Sequence, residues 1–319
     1  TDEQFYGVTM NVGTYIGIAR DGDATYQSSK GAIRHISPLT GKVLWEGEGQ
    51  GRPCVLNSDG FGIMAHGFAT LRLLDHTVMN TADASFLLRS GGVRIEVKDG
   101  SELNTESGVI LQALDDDDAL VGVNWESDVE LEFHTDFYEK AGWPSENGQI
   151  SSLMPPPPPP PFEPEEGEDA PPPPQFDIHF RAEDTTLTGD LYNGTGYYGQ
   201  KAKQLYVTLG KGAVLTGVIS AAETIHVDEK GEQNTHFTAE QYYYLGKVKN
   251  RHYYNGENDT EVVLEAGSVW NVTGEGILSA LTVEAGATLN GTVEVDGAAL
   301  VPAPGETYRG RILVRGGRV

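Results

Sequence analysis

The chain has 319 residues, of which 40 are glycine and one is cysteine, and its 47 acidic residues against 22 basic ones give a formal charge of −25. A single cysteine excludes a disulfide within the chain, and no uninterrupted run of about 18 apolar residues is present to cross a bilayer. The negative field disfavours nucleic acids and anionic lipids as partners, and it disfavours acidic polysaccharides unless a divalent cation bridges the two surfaces.

A short pattern recurs five times along the chain. Each copy begins with two aliphatic residues separated by one residue, and a turn residue lies three positions after the second aliphatic. A large apolar residue lies three positions after the turn residue, and a polar residue follows it directly. The five copies begin at Leu71, Ile95, Val207, Val262 and Leu281. Aliphatic residues two apart lie on one face of a strand because successive side chains alternate, whereas a helix needs spacings of three and four. The pattern therefore predicts short strands in a shared register.

Four of the five copies end on asparagine, at Asn80, Asn104, Asn271 and Asn290. Amides at one register position of stacked strands can hydrogen-bond to one another, so we predict an asparagine ladder. The turn position advances by 24 residues between the first two copies and by 19 between the last two. Repeats of this length built from short strands are typical of a parallel β-helix, an all-β solenoid. An antiparallel sandwich is the alternative, but it gives no reason for turn and asparagine columns.

Acidic residues in the first half offer a candidate metal site. Four carboxylates follow one another at Asp115, Asp116, Asp117 and Asp118. Calcium would relieve their repulsion, but the run lacks the glycine-punctuated spacing of calcium loops, so a solvated turn is the alternative. His66 and Asp83 each carry part of the motifs of β-helical pectin hydrolases, and neither completes one.

Prolines dominate residues 144–176, with seven in succession from Pro155 and four from Pro171. Proline has no amide hydrogen and a fixed φ, so this stretch cannot join a sheet and should form extended polyproline II segments. It is either a linker between two β segments or a loop on one continuous solenoid, and the resumption of the same register after it favours the loop. The predicted division is a first part of the β-helix in residues 1–143, the proline-rich acidic loop or linker in 144–176, and a second part in 177–319.

Residues 222–259 form an excursion from the second part and contain the densest aromatic cluster of the chain. Thr238 and Gln241 match a helix capping box, which predicts a short helix after them. Tyrosine rings can stack on sugars while their hydroxyl groups bind ring substituents, although tyrosines can also anchor an excursion to the solenoid. The ligand-binding candidates are Tyr242, Tyr243, Tyr244, Tyr253 and Tyr254, with a second group at Trp125, Trp143, Tyr197 and Tyr198.

Three segments, residues 108–118, 187–196 and 269–274, resemble secreted, right-handed, parallel β-helix proteins of anaerobic bacteria with a pectate-lyase-like fold. The resemblance implies a right-handed solenoid and an extracellular or cell-surface location, and it supplies no catalytic residues. Some right-handed β-helices of this type are carbohydrate-binding modules beside plant cell-wall hydrolases, including xylan-directed ones.

These observations lead us to expect a non-catalytic carbohydrate-binding module for a neutral plant cell-wall polysaccharide such as xylan, joined to other domains of a larger secreted enzyme or surface protein. Calcium is the one cofactor that the sequence suggests. Two alternatives stay open. One is a β-helical polysaccharide lyase or glycoside hydrolase, and the other is a cell-surface adhesin or structural stalk.

Overall fold

The computed structural model describes residues 24–29, 32–36, 43–46, 55–58, 60–65, 69–89, 92–115, 130–132, 177–196, 202–234, 236–238 and 246–317. These residues are all-β, and they contain no helix and therefore none long and apolar enough to cross a bilayer. The proline-rich segment lies outside the described residues. So does the helix predicted after Thr238, which itself ends a strand.

The described residues form 27 strands. Those before the proline-rich segment are β1 (Ala24–Ser29), β2 (Ala32–Ile36), β3 (Val43–Glu46), β4 (Val55–Ser58), β5 (Ile63–Ala65), β6 (Ala69–Leu73), β7 (Val78–Thr81), β8 (Phe86–Leu88), β9 (Val93–Lys98), β10 (Glu102–Thr105), β11 (Val109–Leu114) and β12 (Glu130–Glu132). Those after it are β13 (Ile178–Glu183), β14 (Thr186–Thr188), β15 (Asp190–Gly194), β16 (Leu205–Leu209), β17 (Val214–Gly217), β18 (Ile219–His226), β19 (His236–Thr238), β20 (Val248–His252), β21 (Thr260–Leu264), β22 (Val269–Val272), β23 (Glu275–Val283), β24 (Thr288–Asn290), β25 (Thr292–Val295), β26 (Ala298–Leu300) and β27 (Thr307–Arg315).

Parallel pairing dominates the sheets. Sheet 1 holds β1, β6, β9, β13, β16, β21 and β23 side by side in parallel, with antiparallel strands at both of its ends. Sheet 2 holds β4, β7 and β10, sheet 3 holds β14, β17, β22 and β24, and sheet 4 holds β5, β8, β11, β15, β18 and β20. The predicted all-β class is confirmed, and its parallel sheets are compatible with the predicted solenoid.

The register of sheet 1 follows the sequence pattern. Leu71 pairs with Ile95, Ile95 with Phe180, Phe180 with Val207, Val207 with Val262, and Val262 with Leu281. All five copies therefore share one register, as predicted. Phe180 marks a further copy that the pattern missed. In this copy the chain between Ala182 and Leu187 is one residue shorter than the chain between their register partners, Leu209 and Leu215.

From β6 to β18, apart from β12, the chain visits the sheets in a repeating order, passing from sheet 1 to sheet 2 or 3, then to sheet 4, and back to sheet 1. We call one such passage a circuit; the first is β6, β7 and β8. Alternate side chains of each strand point between the sheets and form an apolar core, in which Leu71, Ile95 and Trp270 are at most 1% exposed. The indole Nε1 of Trp270 donates to the carbonyl oxygen of Gly217 at 3.0 Å, so its polar atom is also paired.

Turn residues occupy left-handed backbone at the predicted column. The φ angles are positive at His76, Gly100, Gly212, Gly267 and Gly286. Glycine adopts this conformation without steric cost. At Gly100 space demands it as well, because a Cβ atom would lie 2.5 Å from the Nδ1 atom of His76.

The asparagine ladder is present in two sections. In sheet 2 the Nδ2 atom of Asn104 donates to Oδ1 of Asn80 at 2.9 Å, and Nδ2 of Asn80 donates to Oδ1 of Asn57 at 2.8 Å. In sheet 3 Asn290 donates to Asn271 at 2.7 Å in the same way. All four predicted asparagines are therefore rungs, and they lie within strands rather than in left-handed turns.

Contacts divide the chain into two compact units. Unit 1 comprises Thr1–Asp115, Phe176–Thr224 and Asn250–Val319, and unit 2 comprises Asp116–Gln175 and Ile225–Lys249. In unit 2, β12 pairs in parallel with β19. In unit 1, β9 and β13 are direct neighbours in sheet 1, although the proline-rich segment separates them in the chain.

Candidate ligand-binding surface

An exposed aromatic side chain lies directly after β20, in unit 1. The amide of Tyr253 donates to the carbonyl oxygen of Ala221 on β18 at 3.1 Å, which places β20 beside that strand. Because side chains alternate along a strand, His252 lies on the same face of sheet 4 as Ser220 and is half-buried, whereas Arg251 and Tyr253 lie on the other face and are exposed. The Tyr253 side chain is 43% exposed.

Charged groups adjoin the Tyr253 ring. The guanidinium carbon of Arg251 lies 6.0 Å from the ring centroid, within range of a cation–π contact. Arg251 also forms an ion pair with Glu223, whose side chain is 8% exposed while that of Arg251 is 67% exposed. We call Glu223, Arg251 and Tyr253 the Tyr253 surface. It presents an aromatic face and a planar donor within one small area, and the largely buried carboxylate of Glu223 pairs with that donor.

A buried asparagine fixes the backbone of this surface. Asn258 is fully buried, and its Nδ2 atom donates to the carbonyl oxygens of Tyr253, Asn193 and Ala222 at 3.2 to 3.3 Å. The side chain of Asn255 accepts hydrogen bonds from the amides of Glu257 and Asn258, which closes the loop after Tyr253. Both backbone polar groups of Tyr253 are therefore bonded, so the backbone that carries its ring is fixed before any ligand arrives.

Polar residues beneath β20 carry perturbed pKa values. His252 lies 6.3 Å from the ring of Tyr192, whose hydroxyl donates to Asp190 at 2.9 Å. Burial lowers the pKa of His252, with Glu275 and Asp190 opposing the shift, and burial together with Asp190 raises the pKa of Tyr192. Both side chains therefore favour their neutral forms near pH 7.

Ser220 lies 3.2 Å from Nδ1 of His252, a distance that could suggest a nucleophile and its base. Ser220 is fully buried, however, and its hydroxyl group accepts from the amide of Ile277 at 3.0 Å and donates to the carbonyl oxygen of Ala221 at 2.6 Å. The bond with Ile277 joins β18 to β23, and the two bonds give the hydroxyl group a structural role.

The structure separates the two described tyrosine candidates. Tyr253 is exposed, whereas the hydroxyl group of Tyr254 donates to Asp259 at 2.9 Å and anchors the loop. The remaining aromatic candidates lie outside the described residues; they are Tyr242, Tyr243, Tyr244, Trp125, Trp143, Tyr197 and Tyr198.

Asp115 is the one member of the acidic run that the structure describes. Its carboxylate is buried, accepts a hydrogen bond from the amide of Gly196 at 2.6 Å, and lies 3.9 Å from Nζ of Lys203. Asp116, Asp117 and Asp118 lie outside the described residues, as does His66. Within the described ranges no group of three or more histidine, cysteine, aspartate or glutamate residues could hold a metal ion. A calcium site at this run stays a prediction.

Sequence reasoning missed Glu223 and Arg251 as parts of the surface. The alternation along residues 250–253 could have identified Tyr253 and Arg251 as outward-facing, but Glu223 joins them only through the pairing of β18 with β20. No protein-family model, no curated protein and no solved structure matches the chain. The surface is therefore interpreted from its own chemistry.

Proposed function

We propose that the chain is a right-handed parallel β-helix of an extracellular or cell-surface protein, and that it binds a neutral polysaccharide such as xylan at the Tyr253 surface. The parallel sheets and the repeating circuits support the β-helix. Connections between parallel strands of one sheet are right-handed in nearly all proteins, which supports the handedness.

The exposed ring of Tyr253 carries the functional part of the proposal. A pyranose ring has an apolar face of C–H groups that stacks on an aromatic ring, and its hydroxyl groups need donors and acceptors at the edge of that ring. Arg251 supplies donors at that edge, and its ion pair with the largely buried Glu223 holds the guanidinium group there. The formal charge of −25 and the carboxylate of Glu223 favour a neutral glycan over an acidic one.

Electrophoresis of the purified chain through gels containing xylan, glucan or mannan tests this proposal. We expect retardation by at least one of them, and we expect Tyr253→Ala to weaken binding about tenfold because the stacking face is lost. Tyr253→Phe keeps the ring and should bind like the parent chain. Tyr206→Ala, which removes a half-buried tyrosine of sheet 1, is the matched control and should leave binding unchanged.

Equal retardation of the Tyr253→Ala variant and the parent chain would refute the Tyr253 surface as the site. Absence of retardation by all three glycans, together with binding to cells, would favour an adhesin. Release of reducing or unsaturated ends from a retarding glycan would instead favour a lyase or hydrolase.

A further inference from the structure

Sheets 2 and 3 end at strands that face each other without pairing. β10 is the last strand of sheet 2 and β14 is the first strand of sheet 3, and no hydrogen-bonded ladder joins them in the described part of the chain. The strands on either side of this position do pair, since β9 adjoins β13 and β11 adjoins β15. The stack is therefore open at one place while it is closed on both flanks.

The opening results from unequal path lengths in consecutive circuits. The chain takes a longer path between Lys98 and Val109 than between their register partners Glu183 and Asp190. The two paths are joined before the opening by the bond from the amide of Gly100 to the carbonyl of Asp184, and after it by the bond from the amide of Asp190 to the carbonyl of Gly108, both of 2.8 Å. The hydroxyl group of Thr185 also donates to the carbonyl oxygen of Ser101, and beyond this bond no backbone ladder joins β10 to β14 in the described residues.

A cleft of about 630 Å³ occupies the opening, a volume within the range of small-molecule sites. We call it the sheet-edge cleft. Its polar lining includes Glu102, Asn104, Asp184, Thr185, Thr186 and Thr188.

Backbone groups of both strands face the sheet-edge cleft. In a parallel strand, alternate residues direct their N–H and C=O groups to opposite sides. The amide of Glu102 donates to Thr77 on the β7 side, so the backbone groups of Leu103 point toward β14. The carbonyl of Thr185 accepts from Val214 on the β17 side, so those of Thr186 point toward β10. Each edge thus offers donors and acceptors to a molecule in the cleft.

The asparagine ladder is interrupted at the same place. Asn104 donates through Nδ2 to Asn80, and its Oδ1 atom accepts no hydrogen bond from the described residues. Across the cleft Thr188 occupies the same column, since it pairs in register with Thr216, the acceptor for Asn271 at 3.2 Å. A carbonyl acceptor and a hydroxyl group therefore remain at the two ends of the interrupted column.

We propose that the sheet-edge cleft binds a neutral saccharide, one hydroxyl group of which donates to Oδ1 of Asn104 and accepts from the hydroxyl group of Thr188. A sugar hydroxyl can donate and accept at once, so it can restore the interrupted column. The carboxylates of Glu102 and Asp184 oppose an anion at this place.

This inference rests on the proposed function for its class of ligand, but its location is independent of the Tyr253 surface. The two sites can therefore fail separately, and the test has to read them separately.

Amide NMR spectra can follow the two sites separately. The whole chain would be titrated with xylobiose, cellobiose or mannobiose. We expect backbone signals of Asn104 and Thr186 to shift with at least one disaccharide, and Thr188→Val to weaken this response about 2- to 10-fold through loss of one hydrogen bond. Thr288→Val is the matched control, because Thr288 is an equally exposed threonine of sheet 3 outside the cleft. Tyr253→Ala should leave the cleft response unchanged.

Two outcomes would overturn the inference. The first is a lack of shifts at Asn104 and Thr186 with every disaccharide, and the second is an equal response of the parent chain and Thr188→Val. If Tyr253 responds while the cleft signals do not, the proposed function stands and the cleft site fails. If the cleft responds while Tyr253→Ala still binds glycan like the parent chain, the Tyr253 surface fails and the cleft site stands. Shifts at the cleft with calcium alone, and none with sugars, would identify a cation site instead.

Discussion

A glycine leaves space for an ion pair on sheet 1 in which both terminal nitrogens of an arginine bind one carboxylate. Arg181 on β13 reaches across β16 to Glu265 after β21, and both of its terminal nitrogens bind carboxylate oxygens at 2.7 Å. The pair raises the pKa of Arg181 and lowers that of Glu265. Gly210 follows β16 directly beneath this bridge, and a Cβ atom there would lie 2.9 Å from Nη2 of Arg181 and 3.2 Å from Oε2 of Glu265.

Substitution of Gly210 should therefore act through the ion pair. We expect Gly210→Val to lower the free energy of unfolding by about 1 to 2 kcal/mol, because the added atoms separate the partners, and urea unfolding would measure this change. The loss should shrink in an Arg181→Ala background, where the closest of these contacts is absent. Gly317→Val is the control, since nothing lies within 4 Å of a Cβ atom at Gly317, and it should have no effect. Equal losses with and without Arg181 would contradict this interpretation.

At the scale of elements, the asparagine ladder ties neighbouring strands together outside the backbone ladders. Its rungs differ in the number of amide bonds that they make. Asn80 bonds to both Asn57 and Asn104, whereas Asn290 bonds only to Asn271. The strand pairs around these residues are parallel and in register, so each amide meets its partner without displacement of the backbone.

The difference in the number of amide hydrogen bonds predicts a difference in the loss of stability when each asparagine is replaced. We expect Asn80→Ala to lower the free energy of unfolding by about 1 to 2 kcal/mol and Asn290→Ala by about half as much, because one side chain loses two bonds and the other loses one. Asn290 is exposed and Asn80 is half-buried, and the bonds themselves are open to solvent, which keeps the values at the lower end. Thermal and urea unfolding of the two variants would measure the ratio. Equal losses, or a larger loss at Asn290, would show that the bonds are not the source.

The sequence predicts these elements where the repeat is local. Alternating aliphatics, a turn residue and an asparagine fix strand, turn and rung within ten residues, so the five copies and their four asparagines are found from the pattern alone. Asn57 was missed because Val55 and Leu56 follow no aliphatic pair at the required spacing. Thr188 was missed because its copy is one residue shorter. A fixed spacing detects only circuits of equal length.

On the scale of the whole molecule, pH acts through two half-buried histidines. Burial lowers the pKa of His179, and Arg94 lowers it further. For His252, burial outweighs the opposing effect of Glu275 and Asp190. An unfolded histidine binds a proton near pH 6.5, whereas these two bind theirs at lower pH in the folded chain.

The free energy of unfolding should therefore decrease as the pH falls from about 7.5 to about 5.5. In this window the unfolded state binds more protons than the folded state, and stability rises with pH wherever that is so. The depressed pKa of Glu265 acts at lower pH, below its ordinary value of 4.5, so the two effects are separable. Urea unfolding at both pH values would measure the slope, and His179→Gln combined with His252→Gln should flatten it. An unchanged slope in that double variant would exclude the histidines as its source.

Neither candidate site follows from the repeat. Glu223 and Arg251 meet only because β20 returns beside β18, and the alternation within β20 decides that Tyr253 rather than Tyr254 faces outward. The sheet-edge cleft depends on a difference in length between circuits that are separated by the proline-rich segment. Local patterns predict what successive circuits share, whereas both sites arise where one circuit departs from the next.

The unpaired edges of β10 and β14 resemble a dislocation in a layered solid. When two consecutive layers have different perimeters, the mismatch is confined to one side, and the layers stay in contact everywhere else. A protein built in this way can acquire a recess without a change in its core residues, through the gain or loss of a few residues in one layer. Shortening the longer layer should close the recess, and lengthening another layer should open a new one at a place of choice. The number of residues in a layer, rather than their type, then decides where a binding site lies.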